Sequence, residues 1–293
     1  MPCVMKGDCK LSVLILVRNE SAHIIRCLRS IEALGVPVFV VDSHSTDGTA
    51  DMVAKLGAQI FQCTESRFAD KLNWAMANIP FPSEWVMRLD ADEVPSKEMI
   101  ASLPNVLNSL PLEVSGLLVR RQIWFMGKWM RHGGIYPSWT MRIWRKGKAT
   151  CESRDLDEHM LLAHGIARYV ALDIIDAPLT DLSSWVEKHN HYATIEARAS
   201  MRDSGIGLLQ PRLLGSVPER VRWVKVHLFY RMPLFIRPLL YFLYRYFFRL
   251  GFLDGKKGFI FHFLHALWYR VLVDAKLLEQ RKHRPLESRK SPY

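Results

Sequence analysis

Trp85-Val86-Met87-Arg88-Leu89-Asp90-Ala91-Asp92-Glu93 is the stretch on which the reading of this chain turns. Its first five residues form an apolar run that reads as a short buried strand, and the acids arrive where that strand stops and a loop begins. Side chains alternate faces along a strand, so Asp90 and Asp92 should share one side with Ala91 turned away. Two hard oxygen ligands so placed suit a Mg²⁺ or Mn²⁺ that also holds substrate phosphates. Alone the signal is weak, because acidic loops after strands are usually solvated caps. The segments upstream strengthen it.

Leu11 to Val17 (LSVLILV) is a continuous apolar run, as a parallel strand buried on both faces requires. Ile24, Cys27, Leu28, Ile31 and Leu34 then recur at helical spacing, with Gly35 as a stop. Val36 to Val41 is a second strand, and Asp47-Gly48-Thr49 opens a helix closed by Gly57. Ala58 to Gln62 is a third strand, followed by a helix with Phe68, Leu72, Ala75, Met76 and Ile79 on one face. Strand alternating with helix four times over predicts an α/β fold: a Rossmann-like, mostly parallel sheet flanked by helices. Ligands bind such sheets at the carboxyl ends of the strands. Those ends carry Arg18-Asn19-Glu20, Asp42-Ser43-His44-Ser45 and Asp90-Ala91-Asp92-Glu93.

Composition narrows the class. A chain of 293 residues, half apolar and rich in aromatics, buries a proper core and is not a disordered chain. Five cysteines without a C-x-x-C spacing fit a reduced compartment rather than a disulfide framework or a zinc site. Residues 1–8 lack the long apolar stretch of a signal peptide. The charge is lopsided: residues 1–211 carry a net −1 and residues 212–293 a net +12. A basic tail of that kind meets an anionic surface, either nucleic acid or membrane.

Beyond Ser115 two β-like stretches, Leu117 to Phe125 and Trp139 to Trp144, flank a glycine-bearing loop. Asp155-Leu156-Asp157-Glu158-His159 and a helix around Trp185 to Asn190 follow. VRNES, VVDSHSTDGT and WVMRLDADE together resemble an inverting family-2 glycosyltransferase of GT-A fold. FMGKWMRHGGIYPSWTMRIWRKGKA, DEH and WVEKHNHYATIEA resemble the branch of that family that builds bacterial lipopolysaccharide core and other envelope glycans. The likeness runs through residues 11–200, and the segment RPLLYFLYRYFFRLGFLDGKKGF resembles that branch's tail.

The resemblance implies roles. Asp42 would read the uracil or ribose of a UDP-sugar, with Arg18 and Glu20 lining the same pocket. Asp90 would contact the ribose side and the metal's water shell, and Asp92 would bind the divalent cation directly. Lys71 and Asn73 could touch the donor. Asp157 or Glu158 would be the base for the acceptor hydroxyl, and His159 could instead be a metal ligand. Trp124, Trp129, Trp139 and Trp144 serve a core or an acceptor platform equally well. The implied partners are a nucleotide-sugar donor and a lipid-linked glycan acceptor. A sugar-phosphate nucleotidylyltransferase would need a glycine-rich loop where Val17-Arg18-Asn19-Glu20 stands.

Three regions are expected: a tail over 1–10, a GT-A domain over 11–205, and a basic, aromatic-rich helical region over 206–293. On a helical wheel Arg237, Arg245 and Arg249 fall together, opposite Leu239, Leu240, Phe242, Leu243, Tyr246 and Phe247. No apolar stretch reaches the length of a membrane span. A basic amphipathic helix predicts docking on an anionic membrane, with the protein cytoplasmic and peripheral on its inner face. Packing on a second copy, giving a homo-oligomer, is the alternative use of these faces. Arginines among so many Phe and Leu favour lipid over a phosphate backbone, so no nucleic acid is expected.

Overall fold

β1 (Leu11–Val17) has almost no exposed surface. In the computed structural model, which describes residues 10–152, 159–201, 212–215 and 217–282, that burial comes from parallel neighbours on both sides and helices on both faces. The chain runs from β1 through α1 (Ile24–Ile31), β2 (Val38–Asp42), α2 (Thr49–Lys55), β3 (Gln59–Gln62) and α3 (Phe68–Asn78) to β4 (Trp85–Asp90). β2 and β4 both pair with β1 in parallel, and β3 extends the sheet beyond β2. Strand alternation sorts the core into two layers. Val13 and Ile15 pack with Ile24, Cys27, Leu28 and Val53 of α1 and α2 on one face. Leu14, Phe39 and Val86 pack with Ala69, Leu72 and Ala75 of α3 on the other.

The second half of the sheet is less legible in sequence. β5 (Glu93–Pro95) and α4 (Lys97–Asn108) follow the acidic turn, with Ser96 Oγ capping α4 by accepting the Met99 N–H at 3.1 Å. Then come β6 (Val114–Phe125), β7 (Lys128–Met130), β8 (Ser138–Arg145), β9 (Ala149–Cys151), β10 (Met160–Leu162) and β11 (Ile166–Asp176). The strand order is β3-β2-β1-β4-β8-β6-β11-β5, parallel through β3-β2-β1-β4 and mixed beyond. The sheet is thus α/β and helix-flanked as expected.

Among the described residues, the sheet and its helices up to Thr180 form one unit, and His132–Gly134 with the residues from Asp181 onward form another. The second unit holds α5 (Leu182–Met201), α6 (Val217–His227), α7 (Ile236–Leu243), α8 (Gly255–His262) and α9 (Tyr269–Lys282). Turns of π-helix follow α7 over Tyr244–Phe248 and α8 over Phe263–Trp268. α5 sits with these helices although the sequence groups residues to 205 with the sheet. Its small Ala193 and Ala197 pack on Tyr269, Val273 and Leu277, and its Glu196 accepts from Tyr269 Oη (2.6 Å) and Arg270 Nη1 (2.5 Å).

The arginine face expected on the tail is inverted. Arg237 and Arg245 are buried, and of the three only Arg249 is exposed. Arg237 pairs with buried Asp274 of α9, while Arg245 Nε donates to the Gly133 carbonyl at 2.8 Å. A guanidinium leaves water only when such partners exist, and these come from segments remote in sequence. Leu239, Leu240 and Phe247, opposite on the wheel, are exposed instead. No helix among the described residues is long and apolar enough to cross a membrane.

Candidate active site

Three adjacent strands bring the acids to one edge. Asp42 ends β2 opposite Val17, and Asp90 ends β4 opposite Leu16, so the two flank the end of β1. Two strand spacings separate them, about 10 Å along the sheet. Arg18 leaves β1 directly between them and is exposed. Lys71 enters from α3; its pKa is lowered by burial and by Arg18, while Cys63 and Asp42 act the other way. Arg18, Lys71 and Asp42 therefore lie within electrostatic reach of one another.

The loops that follow β1 and β2 are stitched together. Ser45 Oγ donates to Asp42 Oδ1 (2.5 Å) and accepts the Asn19 N–H (2.9 Å), and Asn19 Oδ1 accepts the Thr46 N–H (2.8 Å). Asp47 accepts the Ser21 N–H at 2.9 Å and the Thr49 hydroxyl at 2.5 Å. Burial pushes the Asp47 carboxyl up, but the hydrogen bonds from Thr49 and Ser21 outweigh it and hold the group well below the usual carboxylate range. Asn19 and His44 adopt left-handed backbone (φ 56° and 55°) inside these turns, a cost that the hydrogen bonds offset.

Asp42 is buried, and Gln62 Nε2 on β3 also donates to its carboxylate at 3.0 Å. Glu20 receives a 2.7 Å contact from His23 Nδ1, while His23 Nε2 accepts the Leu179 N–H at 3.0 Å. That bond makes Nε2 the acceptor, so Nδ1 carries the proton toward Glu20.

Strand alternation does not place Asp92. β4 ends at Asp90, Ala91-Asp92 is a turn, and Glu93 already belongs to β5. Asp92 is set instead by its backbone. Its carbonyl accepts Arg26 Nη2 at 2.8 Å and the Ala177 N–H at 3.2 Å. Asp90 accepts from Arg88 at 3.2 Å and from Arg142 at 3.0 Å, and its own N–H donates to Glu93 Oε2 at 3.1 Å. Arg142, fully buried on β8, also bonds Glu93; Arg121 on β6 joins Glu93 and Asp176. Burial works against ionisation of Asp90, but Arg142 and Arg88 hold its carboxyl far below the usual range. Burial, with Asp90 nearby, pushes Glu93 up to about 7 in spite of Arg142. Burial and then Glu93, Asp90 and Asp92 push the Cys27 thiol up, and burial and Asp92 raise Asp176.

The carboxyl groups of Asp90, Asp92, Glu93 and Asp176 thus lie among four guanidiniums, those of Arg26, Arg88, Arg121 and Arg142. Hard oxygen donors such as the Asp90 and Asp92 carboxylates fit a divalent cation. Among the described residues no group of three His, Cys, Asp or Glu side chains is arranged around one metal position, so the remaining ligands would be substrate oxygens and water.

His159 begins the return arm of the β9–β10 hairpin, where its carbonyl accepts the Glu152 N–H at 2.9 Å. Asp157 and Glu158, the expected base, lie outside the described residues. Asn73 is a clamp: its amide exchanges hydrogen bonds with both backbone groups of Cys151, at 2.9 and 2.8 Å, and so anchors β9. Trp144 is core, whereas Trp139 is partly exposed and meets Tyr169 edge-on at 5.1 Å. Gln62, Arg121, Arg142 and Asp176 carry no local sequence signal for a site.

The family model of glycosyl transferase family 2 matches residues 12–167, more than half the chain. The chain belongs to this family. The matched region runs from β1 into β11 and includes Arg18, Asp42, Lys71, Asp90 and Asp92, whereas Asp176, Ala177 and Leu179 lie beyond it. Over 288 residues the chain is 27% identical to the lipopolysaccharide core biosynthesis glycosyltransferase LpsC of Rhizobium meliloti, covering 91% of this chain and 97% of that one. An uncharacterized glycosyltransferase of Rickettsia prowazekii is 32% identical over 100 residues, so the chain matches about a third (34%) of that relative's length. A mannosyltransferase from Pyrobaculum calidifontis, solved with GDP-Man and Mn²⁺, superposes with a TM-score of 0.51 at 16% identity, covering 96% of this chain and 91% of that one. At that identity the likeness speaks for the GT-A fold alone.

Proposed function

We propose that the chain transfers one sugar, with inversion, from a nucleotide-sugar donor (UDP-linked) to a hydroxyl of a lipid-linked glycan such as lipopolysaccharide core. The observation that carries this is the edge on which Asp42, Arg18, Lys71, Asp90 and Asp92 meet at the carboxyl ends of β2, β1 and β4. Membership in the family and the full-length likeness to LpsC support it. The setting is the inner face of an envelope membrane, and a copy-to-copy contact through the C-terminal region is compatible with it.

Each residue then has a task. Asp42, held by Ser45 and Gln62, presents a fixed acceptor edge to the nucleoside, and Arg18 and Lys71 offer positive charge to the diphosphate. Asp92, with Asp90 behind it, would hold a Mg²⁺ or Mn²⁺. When bound, that ion supplies Lewis-acid neutralisation of the charge that grows on the departing diphosphate. Arg142 and Arg88 keep Asp90 ionised and in place. Asp157 or Glu158 takes the acceptor proton as the acceptor oxygen bonds to the anomeric carbon and the bond from that carbon to the diphosphate breaks. Inversion needs only this one displacement, so no enzyme nucleophile is required.

The test is direct. The purified protein with Mn²⁺ is offered UDP- and GDP-sugars in turn, and nucleotide release with and without envelope glycan acceptor is measured. Acceptor-dependent release from one UDP-sugar is the expected result; release from GDP-mannose alone would overturn the donor assignment. Mass spectrometry of envelope glycan from cells lacking the gene should show a truncation of one sugar, and unchanged glycan would overturn the acceptor assignment.

A further inference from the structure

The C-terminal unit leaves large apolar side chains facing water in one short span. Of 27 exposed large hydrophobic residues among those described, twelve fall between Phe235 and Phe263. Scattered exposed apolar residues need no explanation, but a concentration of this kind marks an interaction surface. The rings are contiguous. Tyr246 contacts Phe247 at 5.1 Å, Phe252 at 6.3 Å and Phe259 at 5.6 Å, and Phe259 contacts Phe263 at 6.0 Å.

The turn between α7 and α8 is the most exposed part. Phe248 is 79% exposed and Leu253 53%. This turn is built rather than slack. Arg249 N–H donates to the Tyr244 carbonyl at 2.9 Å, Leu250 to Phe247 at 3.1 Å, and Leu253 to Leu250 at 3.0 Å. Leu250 is held in left-handed backbone at φ 60°, costly for a leucine. A turn held by hydrogen bonds in a strained conformation, with its apolar side chains outward, is presenting them.

Charge selects the occupant. Asp254 is the one acid between Leu228 and Val273, and it is buried, accepting the His132 N–H at 2.9 Å. The exposed charges of that span are Arg231, Arg249, Lys256 and Lys257, all positive. A second copy seated on this face would bring two basic rims together, which like-charge repulsion disfavours. An anionic lipid surface satisfies both the apolar centre and the basic rim.

We infer that this face lies in the headgroup layer of an anionic membrane. Phe247, Phe248, Phe252 and Leu253 reach the acyl boundary, and Arg249, Lys256 and Lys257 meet lipid phosphates. The inference deepens the reading above by naming the surface that would bring the enzyme to a lipid-linked acceptor. It reassigns the contact from Arg237 and Arg245, which are committed to internal partners, to the apolar turn.

Co-sedimentation of the full chain with phosphatidylglycerol–phosphatidylethanolamine vesicles and with phosphatidylcholine vesicles tests it. No donor or acceptor is present, so failure of the transfer reading leaves this result untouched, and the reverse holds. Binding to the anionic vesicles is expected, weakened but not lost at about 0.5 M salt because the apolar component is unscreened. The double variant Phe248→Ser, Leu253→Ser should lower the partition coefficient about tenfold or more with an unchanged melting curve. Lys256→Glu with Lys257→Glu should lower it at least about fivefold at low salt and flatten its salt dependence. Leu112→Ser, an exposed apolar site of the first unit, should change nothing. Three results would overturn the inference: no sedimentation with anionic vesicles, sedimentation unaffected by the Phe248/Leu253 pair, or a stable dimer that the pair dissociates.

Discussion

Arg142 of the sheet unit and Arg237 of the helical unit are both buried guanidiniums on carboxylates, yet they serve opposite ends. Around Arg142 the acids and the guanidiniums are matched in number, yet Asp90 stays 30% exposed and Glu93 is pushed toward the protonated form. Around Arg237 the account is closed: Asp274 takes Arg237 Nε at 2.9 Å and the Phe235 N–H at 2.8 Å, and both side chains are sealed from water. The first arrangement leaves an ionised carboxylate, Asp90, beside solvent, as the proposed cation site would require. The second settles every charge and leaves its apolar side chains outside. Burial of an arginine therefore says nothing by itself about function; whether its acid partner still reaches solvent does, as Asp90 does and Asp274 does not.

The comparison breaks first at Asp92. If the acids at the end of β4 hold a divalent ion, Asp92→Asn should lower transfer about 10³-fold or more while the melting temperature holds, and EDTA should do the same to the wild type. Full activity in EDTA, read as nucleotide release, would mean that the acidic cluster is structural like its counterpart. The closed pair is tested next. Arg237→Met strands Asp274 in the interior and should cost at least about 3 kcal/mol in urea unfolding. Arg237→Met with Asp274→Leu should recover much of that loss, because removing both charges removes the stranded one. Were Arg237 instead a surface contact, the single variant would be neutral.

The base is a smaller effect on the open side. The amide of whichever acid serves, Asp157→Asn or Glu158→Gln, should lower turnover at least about 10²-fold with donor affinity retained. Normal turnover in both would place the base elsewhere.

What the sequence shows of these two regions differs for a physical reason. β1 to β4 are short apolar runs ended by polar clusters, and each signal is local, so Asp42, Asp90, Arg18 and Lys71 are legible before any pairing is known. The residues that hold Asp90 are not: Arg142 and Arg121 come from β8 and β6, and Asp176 from β11, strands that meet only through long-range pairing. β11 itself is hard to read, because its first half is mostly exposed and only its end is buried. Strand alternation does not carry Asp92 to its place beside Asp90; the turn at Ala91-Asp92 and the hydrogen bonds of its own carbonyl do. The wheel of the tail shows an arginine face and an aromatic face but not which one turns inward; Asp274, thirty-seven residues beyond Arg237, decides that.

The finest discrimination between the two regions is by pH. His262 on α8 is fully buried, and neither ring nitrogen has a hydrogen-bond partner among the described residues. A side-chain carbon on Gly133 would fall 2.0 Å from its ring, so the imidazole fills space that only glycine leaves. Burial, and then the neighbouring Arg245, lower its pKa to about 4, with Asp254 pulling weakly the other way. In the unfolded chain the same ring titrates near 6.5. Between those values the unfolded state binds a proton that the folded state refuses, so stability falls as pH drops from about 6.5 toward 4. The slope from this ring is at most about 1.4 kcal/mol per pH unit. His262→Phe keeps an aromatic ring and strands no hydrogen bond, so any packing cost is the same at every pH. The variant's melting temperature should therefore drop less than the wild type's across that window, whereas parallel curves would mean that the ring is protonated and partnered in the fold. That outcome would also undo the contrast with the sheet unit, because the helical unit would then carry an unsettled charge of its own.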